Sequence, residues 1–347
     1  MAGIQTGNNV GKEIRGRQKE IDMKVLIIAA RNFGDAVILN LFVTKLGQAK
    51  PQMSIDVITK KQFGIIFQNN KYIHKLIFVK FPIASFKSLN FIPLLREAKK
   101  RYGEYDLAID VIGDFRERAA LYLFGAKRIL SVDREVGHPF NKLIRRGLKF
   151  LVEPIPITCA VLNYYSQLDE IFKYIGCYKE ASVNQRTNNI KTIGIHPFAS
   201  QECRMWEWDK WRELIIQLQD EGYLIKIFCA PNEKNVLVKE FQSEIVNIQI
   251  ISGNISTFFK ELANVDYLIG LDSFAVHAAY SLGIPNIMLN GANDYRLWQN
   301  PLCDVILGKH ECKSWPCYNV PHDCEYECIK AISVQDVIDT IDRIKKQ

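Results

Sequence analysis

The stretch LIGLDSFAVHAAYSLGIPNIMLNG (268–291) decides the fold, because it joins two apolar strand candidates through one short helical segment. Two consecutive strands joined by a helix are typical of a parallel sheet, since parallel neighbours need a crossover. The joint between the first strand and the helix carries three polar side chains: Asp272, Ser273 and His277. In open parallel sheets, ligands bind outside the carboxyl ends of the strands, where helix N-termini present unpaired N–H groups. The stretch therefore predicts an α/β fold with a ligand site at this joint.

The same alternation of strand and helix fills two halves of the chain. The first half contains five strand candidates: KVLIIAA (24–30), IDVIT (55–59), LIFVK (76–80), DLAIDVIG (106–113) and RILSV (128–132). The alternation stops over 133–158, which contains Pro154 and Pro156, and a polar linker follows at 179–191. The second half contains six candidates: TIGIHPF (192–198), LIKIFCA (224–230), IQIIS (248–252), YLIGLD (267–272), NIMLN (286–290) and DVILG (304–308).

This pattern predicts four parts of the chain. They are a flexible tail (1–22), an N-terminal Rossmann-like domain (23–180), a C-terminal Rossmann-like domain (190–332) and a terminal helix (333–347). The C-terminal domain includes a cysteine-rich loop over 312–328.

Composition restricts the location and the partners. The polar first 22 residues have no signal-peptide core and no apolar run is long enough to cross a bilayer, so we expect a cytoplasmic protein. The net charge of +7 is spread over several clusters, which suits an acidic substrate or peripheral association with a phosphate-rich membrane. Zinc-finger spacing and RNA-binding aromatic signatures are absent, so nucleic acid is not an expected partner.

Several enzyme classes lack their motifs here. The sequence contains no GxGxxG, GxxxxGK[ST] or GxSxG segment, which disfavours dinucleotide oxidoreductases, P-loop kinases and α/β-hydrolases. The first strand is instead followed by RNFGDAVILN (31–40), in which Gly34 allows a tight turn and Asp35 begins a helix. Taken alone, Asp35 is typical of a first-turn carboxylate that stabilises its helix.

Four segments in this order resemble glycosyltransferase family 9, the ADP-heptose heptosyltransferases of lipopolysaccharide assembly. The segments are RNFGDAVILN (31–40), YDLAIDVIGDFRERAALYLFGAKRILSV (105–132), IHPFASQECRMWEWDKW (195–211) and LDSFAVHAAYSLGIPNIMLNG (271–291). The resemblance covers roughly residues 23–346. It implies a GT-B fold, in which two Rossmann-like domains face a cleft, the C-terminal one holding the nucleotide sugar and the N-terminal one the acceptor.

The resemblance also implies roles for individual residues. Asp35 matches the family's catalytic base, and three residues beside it are expected at the acceptor side of the cleft: Arg31, Asn32 and Gly34. Donor binding is expected from Ser200, Arg204, Glu233, Asp272, Ser273, Phe274 and His277. The chemistry agrees with these roles, because inverting transfer needs a base for the acceptor hydroxyl and donors for the departing diphosphate. Singly, these residues have structural alternatives: a surface arginine, a core histidine and a helix-capping aspartate.

The sequence departs from the family pattern at three places. Arg204 stands where the family commonly has lysine, Phe274 stands where a glycine is usual, and LNG (289–291) replaces LFG. A phenylalanine narrows the approach of the backbone to a phosphate or sugar. The departures leave the identity of the transferred sugar open.

The expected function is therefore that of an inverting glycosyltransferase. It would move heptose from ADP-heptose to an acidic saccharide or lipid-linked acceptor of the lipopolysaccharide type, at the inner face of the inner membrane and without a catalytic cofactor. One alternative is a protein acceptor, as in the autotransporter heptosyltransferases. Another is a catalytically silent nucleotide-binding protein on a GT-B frame.

Cysteine is the remaining feature. Four of the nine cysteines cluster as Cys312, Cys317, Cys324 and Cys328. Four thiolates in one short loop can close a tetrahedral structural site for zinc or iron, and the autotransporter heptosyltransferases have an iron-binding finger in a similar segment. The alternative is a set of reduced cysteines in an ordered loop.

Overall fold

The computed structural model describes residues 23–28, 32–78, 100, 103–111, 121–122, 124–132, 153–155, 163–178, 190–241, 248–308, 312–317 and 324–346. Within these residues the chain forms two six-stranded sheets. We refer to described residues 23–178 as the N-lobe and 190–346 as the C-lobe.

The N-lobe sheet contains β1 (Met23–Ile28), β2 (Met53–Thr59), β3 (Ile73–Phe78), β4 (Tyr105–Asp110), β5 (Ala126–Val132) and β6 (Glu153–Ile155). The strand order is β3-β2-β1-β4-β5-β6 and every pairing is parallel. The described helices of this lobe are α1 (Phe33–Ala49), α2 (Gly64–Phe67) and α3 (Tyr164–Tyr174). Because the order reverses between β1 and β4, a crevice opens at the carboxyl end of β1.

The C-lobe repeats this plan. Its strands are β7 (Thr192–His196), β8 (Leu224–Cys229), β9 (Ile248–Ser252), β10 (Tyr267–Leu271), β11 (Asn286–Asn290) and β12 (Cys303–Leu307). Their order is β12-β11-β10-β7-β8-β9, again with parallel pairings, so the reversal lies between β7 and β10. The described helices are α4 (Trp208–Asp220), α5 (Lys234–Phe241), α6 (Ile255–Leu262), α7 (Phe274–Ser281), α8 (Glu327–Lys330) and α9 (Val334–Lys345).

Burial explains why the strands are so apolar. In β10 and β11 every residue is buried, and the central strand β1 buries its last four residues. Parallel strands covered by helices on both faces need continuous apolar runs rather than alternation. Apolar side chains provide most of the driving force for this folding, at about 25 cal/mol per Å² removed from water.

Each of the eleven strand candidates forms a strand within the described residues, and the α/β fold with two Rossmann-like sheets is confirmed. The candidate residues 29–30, 79–80 and 112–113 lie outside the described residues. The interpretation of 133–158 as a break was wrong at Glu153–Ile155, which forms the short strand β6. It is an edge strand that pairs with β5, and the edge of a sheet tolerates Pro154, which has no N–H to donate. A strand of three residues is too short to be recognised from its hydrophobic pattern.

The two lobes meet through the helices that follow their central strands, α1 and α7. A second contact comes from the start of α3, whose N-cap residue Asn163 donates from Nδ2 to the carbonyl oxygens of Arg296 at 2.8 Å and Gln299 at 2.9 Å. The carboxyl ends of β1 and β10 therefore face each other across the interface.

Among the described helices, none combines the length and the apolar character that crossing a membrane requires.

Candidate active site

A cavity of about 770 Å³ lies between the lobes. Its walls come from the loops that leave the carboxyl ends of five parallel strands, which are β7, β8, β9, β10 and β11, and from the first turn of α1. Such a position, at the strand-order reversals of two Rossmann-like sheets, is where this architecture binds ligands.

The N-lobe contributes the start of α1 to the cavity. Asn32 is the N-cap residue, and its Oδ1 accepts a hydrogen bond from the backbone N of Asp35 at 2.9 Å. Asp35 lies in the first helical turn with only 8% of its surface exposed, and it lines the cavity. The cap fixes the position of a carboxylate at the mouth of the N-lobe crevice.

The C-lobe contributes a buried carboxylate, Asp272, which is 5% exposed. Asn293 donates from Nδ2 to Oδ2 of Asp272, and Arg204 donates from Nη1 to the Asp272 carbonyl oxygen at 3.2 Å. The same Nη1 lies 3.8 Å from Oδ2 of Asp272. Asp272 is not a helix cap, because Ser273 occupies the N-cap position of α7. These contacts hold Asp272 and Arg204 as one unit in the cavity wall.

His277 joins the two lobes. Its Nδ1 lies 2.8 Å from the hydroxyl of Tyr165 on α3, and a Cβ placed on Gly34 would stand 3.1 Å from its Cδ2. Burial lowers the pKa of His277 to about 4, although Asp272 raises it slightly. The imidazole is therefore neutral at physiological pH.

Phe274, the residue that replaces a glycine of the family pattern, forms an apolar wall of the cavity. Its ring lies 5.1 Å from that of Phe258 and 5.9 Å from that of Phe259 in the C-lobe, and 6.0 Å from Phe33 in the N-lobe, measured between centroids. These edge and tilted contacts are the geometries that aromatic pairs prefer. Phe274 thus packs between the lobes.

Two of the remaining expected site residues, Ser200 and Glu233, also line the cavity. Ser200 is exposed at the cavity rim, and Glu233 lines the cavity while its Oε2 accepts a hydrogen bond from Ala230 N at 2.7 Å. Arg31 lies outside the described residues. All other donor-side and acceptor-side candidates line this one cavity.

Several polar residues of the cavity were not predicted from the sequence, among them His196, Gln201 and Asn293, whereas Ser273 was. Four buried polar atoms that line it have no hydrogen-bond partner among the described residues: His196 Nδ1, Gln201 Oε1, Ser273 Oγ and Asn293 Oδ1. Burial also lowers the pKa of His196 to about 4, so this imidazole is neutral. Buried polar groups normally have a protein, water or ligand partner, so these four atoms are available to water or to a polar ligand in the cavity. The sequence position of His196 and Asn293 could have identified both as candidate ligand-binding residues, because they lie at or shortly after the carboxyl end of a predicted strand.

The four clustered cysteines are all described, and all are free thiols. The described part of the chain contains no group of three or more His, Cys, Asp or Glu side chains arranged to hold a metal ion. Burial raises the pKa of the Cys328 thiol, and the neighbouring thiols of Cys317, Cys312 and Cys324 raise it further, so the four sulfurs interact electrostatically. The structural metal site suggested by the sequence therefore stays a prediction, since residues 309–311 and 318–323 of the same loop lie outside the described residues.

Comparison with known proteins assigns the family. The family model for glycosyltransferase family 9 (heptosyltransferase) matches residues 98–314, more than half of the chain. The chain is 25% identical over 295 residues to lipopolysaccharide heptosyltransferase 3 of Escherichia coli K12, covering 78% of this chain and 83% of that protein. It is 26% identical over 294 residues to lipopolysaccharide heptosyltransferase 1 of Campylobacter coli, covering 78% and 84%.

Solved structures show the same fold. Escherichia coli heptosyltransferase WaaC with ADP-2-deoxy-2-fluoro heptose has a TM-score of 0.69 at 18% identity, covering 92% of this chain and 99% of that one. The iron-containing dodecameric glycosyltransferase TibC from enterotoxigenic Escherichia coli has a TM-score of 0.54 at 13% identity, covering 94% of this chain and 79% of that one. The GT-B fold is confirmed, and the chain belongs to glycosyltransferase family 9.

Proposed function

We propose that this glycosyltransferase moves heptose from ADP-heptose to an acceptor of the lipopolysaccharide type. The observation that supports this most is the cavity of about 770 Å³ between the lobes, which Asp35 lines from the N-lobe while Arg204 and Asp272 line it from the C-lobe. The names of the two lipopolysaccharide heptosyltransferases that this chain resembles support the choice of sugar and acceptor.

The C-lobe side of the cavity is assigned to the nucleotide sugar. Arg204 is the described cation in the cavity lining, with 19% of its side chain exposed, and its guanidinium offers a planar fork for the diphosphate. The backbone N–H groups at the start of α7 add positive potential on the same side of the cavity, which favours the negatively charged diphosphate. Asp272 orients Arg204 and, together with Asn293, offers oxygens to sugar hydroxyls.

Asp35 is assigned to proton transfer. Its carboxylate removes the proton from an acceptor hydroxyl as that oxygen attacks the anomeric carbon, and the bond from that carbon to the diphosphate breaks. The bonding electrons leave with ADP, whose developing charge Arg204 stabilises. Attack from the face opposite the leaving group inverts the anomeric configuration.

The acceptor is assigned to the N-lobe side of the cleft, beside Asn32, Gly34 and Asp35. Arg31, which precedes Asn32 in the sequence, is assigned to the acceptor as well. An acceptor that is lipid-linked on the cytoplasmic side places the enzyme at the inner face of the inner membrane. The net charge of +7 favours that peripheral association with an anionic surface.

The proposed reaction uses this chain's side chains alone. No step involves the cysteine loop, because none of its four described cysteines lines the cavity. Ser200 and Glu233 are assigned to the nucleotide end of the cavity, because both line the C-lobe side.

Calorimetry with ADP tests the donor assignment. Arg204→Ala removes a charge-assisted hydrogen bond, so we expect ADP to bind about ten- to a hundredfold more weakly. Arg343→Ala is the matched control, because Arg343 lies on α9 with 61% of its side chain exposed and pairs with Asp304 away from the cavity. Parent-like ADP affinity in Arg204→Ala, or tighter binding of GDP or UDP than ADP by the parent protein, would contradict the proposal.

A further inference from the structure

A buried hydrogen bond links the lobes behind the cavity. Tyr165 lies in the first turn of α3 and packs in the N-lobe core, and its hydroxyl lies 2.8 Å from Nδ1 of His277 on α7. Both residues are buried, at 6% and 5% exposure. One ring nitrogen of His277 is therefore occupied by the N-lobe.

The other ring nitrogen faces the opposite way. A Cβ on Gly34 would stand 3.1 Å from Cδ2 and 3.8 Å from Nε2 of His277, so this edge of the ring faces the first turn of α1. The same turn carries Asp35, and both His277 and Asp35 line the cavity. Nε2 is thus on the substrate side of the ring and Nδ1 on the side of Tyr165.

Both partners are neutral. Burial lowers the pKa of His277 to about 4 and raises the pKa of the Tyr165 hydroxyl well above its usual 10. A neutral imidazole carries one N–H and one acceptor nitrogen, and the partner of one nitrogen decides which of them holds the hydrogen.

The direction of the bond follows from the surroundings of Tyr165. Its ring packs edge-on against Tyr280 at 5.0 Å, and among the described residues its hydroxyl has His277 as its hydrogen-bond partner. If Nδ1–H donated to this hydroxyl, the phenolic hydrogen would be buried without an acceptor, which is unfavourable. Donation from Tyr165 to Nδ1 satisfies both groups and leaves the imidazole hydrogen on Nε2.

We propose that Tyr165 is a positioning residue, whose hydroxyl holds His277 in the Nε2–H tautomer so that the imidazole donates a hydrogen bond to an oxygen of the bound nucleotide sugar. The identity of that oxygen rests on the proposed function, whereas the tautomer does not. Without Tyr165 the ring would also populate the Nδ1–H form, which presents a lone pair to the substrate.

Nitrogen-15 NMR of histidine-labelled protein tests the tautomer without any substrate. The chain has six histidines, so His277→Gln identifies the signal of His277. We expect the Nε2–H pattern in the parent and a mixed or Nδ1–H pattern in Tyr165→Phe, which keeps the ring and its packing. Tyr280→Phe is the matched control, since it removes a hydroxyl from the adjacent ring and leaves the Tyr165 bond. An Nδ1–H pattern in the parent, or an unchanged pattern in Tyr165→Phe, would overturn the proposal.

Kinetics and binding locate the oxygen. We expect Tyr165→Phe to lower kcat/KM about tenfold, the value of one neutral hydrogen bond, and Tyr280→Phe to leave it within twofold. If the oxygen belongs to the diphosphate, ADP affinity falls as well; if it belongs to the sugar, the loss is confined to ADP-heptose.

A double variant tests whether Tyr165 acts through His277. The glutamine side chain of His277→Gln has an amide N–H that donates whether or not Tyr165 is present, so adding Tyr165→Phe to this variant should have little further effect. A full tenfold loss there would show that Tyr165 acts by another route and would overturn the proposal. Absence of all transfer in the parent would refute the proposed function but leave the spectral result valid.

Discussion

Gly34 keeps room for His277 at the meeting point of the lobes. A Cβ at this position would stand 3.1 Å from Cδ2 of His277, a tight contact that the imidazole relieves only by moving a few tenths of an ångström. We expect Gly34→Ala to lower kcat/KM about ten- to a hundredfold, because small displacements of catalytic groups have large effects on rate. The folding cost should stay near 1 kcal/mol.

Gly270→Ala is the matched control for that variant. A Cβ on Gly270 would meet its nearest neighbour, the carbonyl oxygen of His196, at 3.5 Å, which is ordinary contact. Steady-state kinetics and urea unfolding of both variants separate the effects. Equal activity of Gly34→Ala and Gly270→Ala would show that the approach of His277 to Gly34 has no functional importance.

At the scale of elements, the N-cap of α3 serves both lobes at once. Asn163 Oδ1 accepts from the backbone N of Tyr165 at 3.0 Å and of Ser166 at 3.2 Å, while its Nδ2 donates to two C-lobe carbonyls. Asn163→Ser keeps a good cap and loses the bridge, whereas Asn163→Ala loses both. We expect Asn163→Ala to unfold with about 1 kcal/mol less free energy than Asn163→Ser, and both below the parent.

Urea denaturation of the three proteins measures these differences. The difference in unfolding free energy between Asn163→Ala and Asn163→Ser measures the contribution of the helix cap. The difference between Asn163→Ser and the parent measures the contribution of the two hydrogen bonds to the C-lobe. Identical midpoints for Asn163→Ser and the parent would mean that the two bonds to the C-lobe contribute nothing to stability.

Elements also show what the sequence could predict. Runs of Val and Ile located eleven strands because parallel strands covered on both faces need continuous apolar side chains. Such runs cannot reveal β6, which contains a proline and three residues. Asp272 was singled out because it lies at the carboxyl end of a strand, whereas Asp35 was singled out through the resemblance to the family, since alone it is typical of a first-turn carboxylate. Tyr165 could not be found, since within an amphipathic helix it is typical of a core residue, and its contact with His277 depends on how the lobes meet.

At the scale of the whole molecule, His277 makes the free energy of unfolding depend on pH. Its pKa is lowered by burial from 6.5 to about 4, so between these values the unfolded chain binds a proton that the native protein excludes. The free energy of unfolding therefore falls as pH drops through this window, and the contribution of His277 is fully present above it. For one such group the contribution is on the order of 3 kcal/mol.

Urea unfolding at pH 4.5 and pH 7 measures this dependence. We expect His277→Gln to lose less stability than the parent between the two pH values, because glutamine does not titrate. Acidic residues whose pKa is lowered in the native protein, such as Asp294 with its Arg296 hydrogen bond, also reduce the free energy of unfolding as pH falls. They do so in the parent and in His277→Gln alike. An unchanged difference between the pH values in His277→Gln would show that this imidazole titrates as in the unfolded chain.

The central claim concerns the cavity between the lobes as the place where sugar is transferred from ADP-heptose with Asp35 as the base. The most direct test incubates the protein with ADP-heptose and heptose-deficient lipopolysaccharide core, and follows the acceptor by mass spectrometry and its new anomeric centre by NMR. We predict addition of one heptosyl residue with inversion, and a rate about 10²- to 10⁴-fold lower for a folded Asp35→Asn variant that still binds ADP. No addition by the parent protein, retention of configuration, or parent-like turnover by Asp35→Asn would contradict the account.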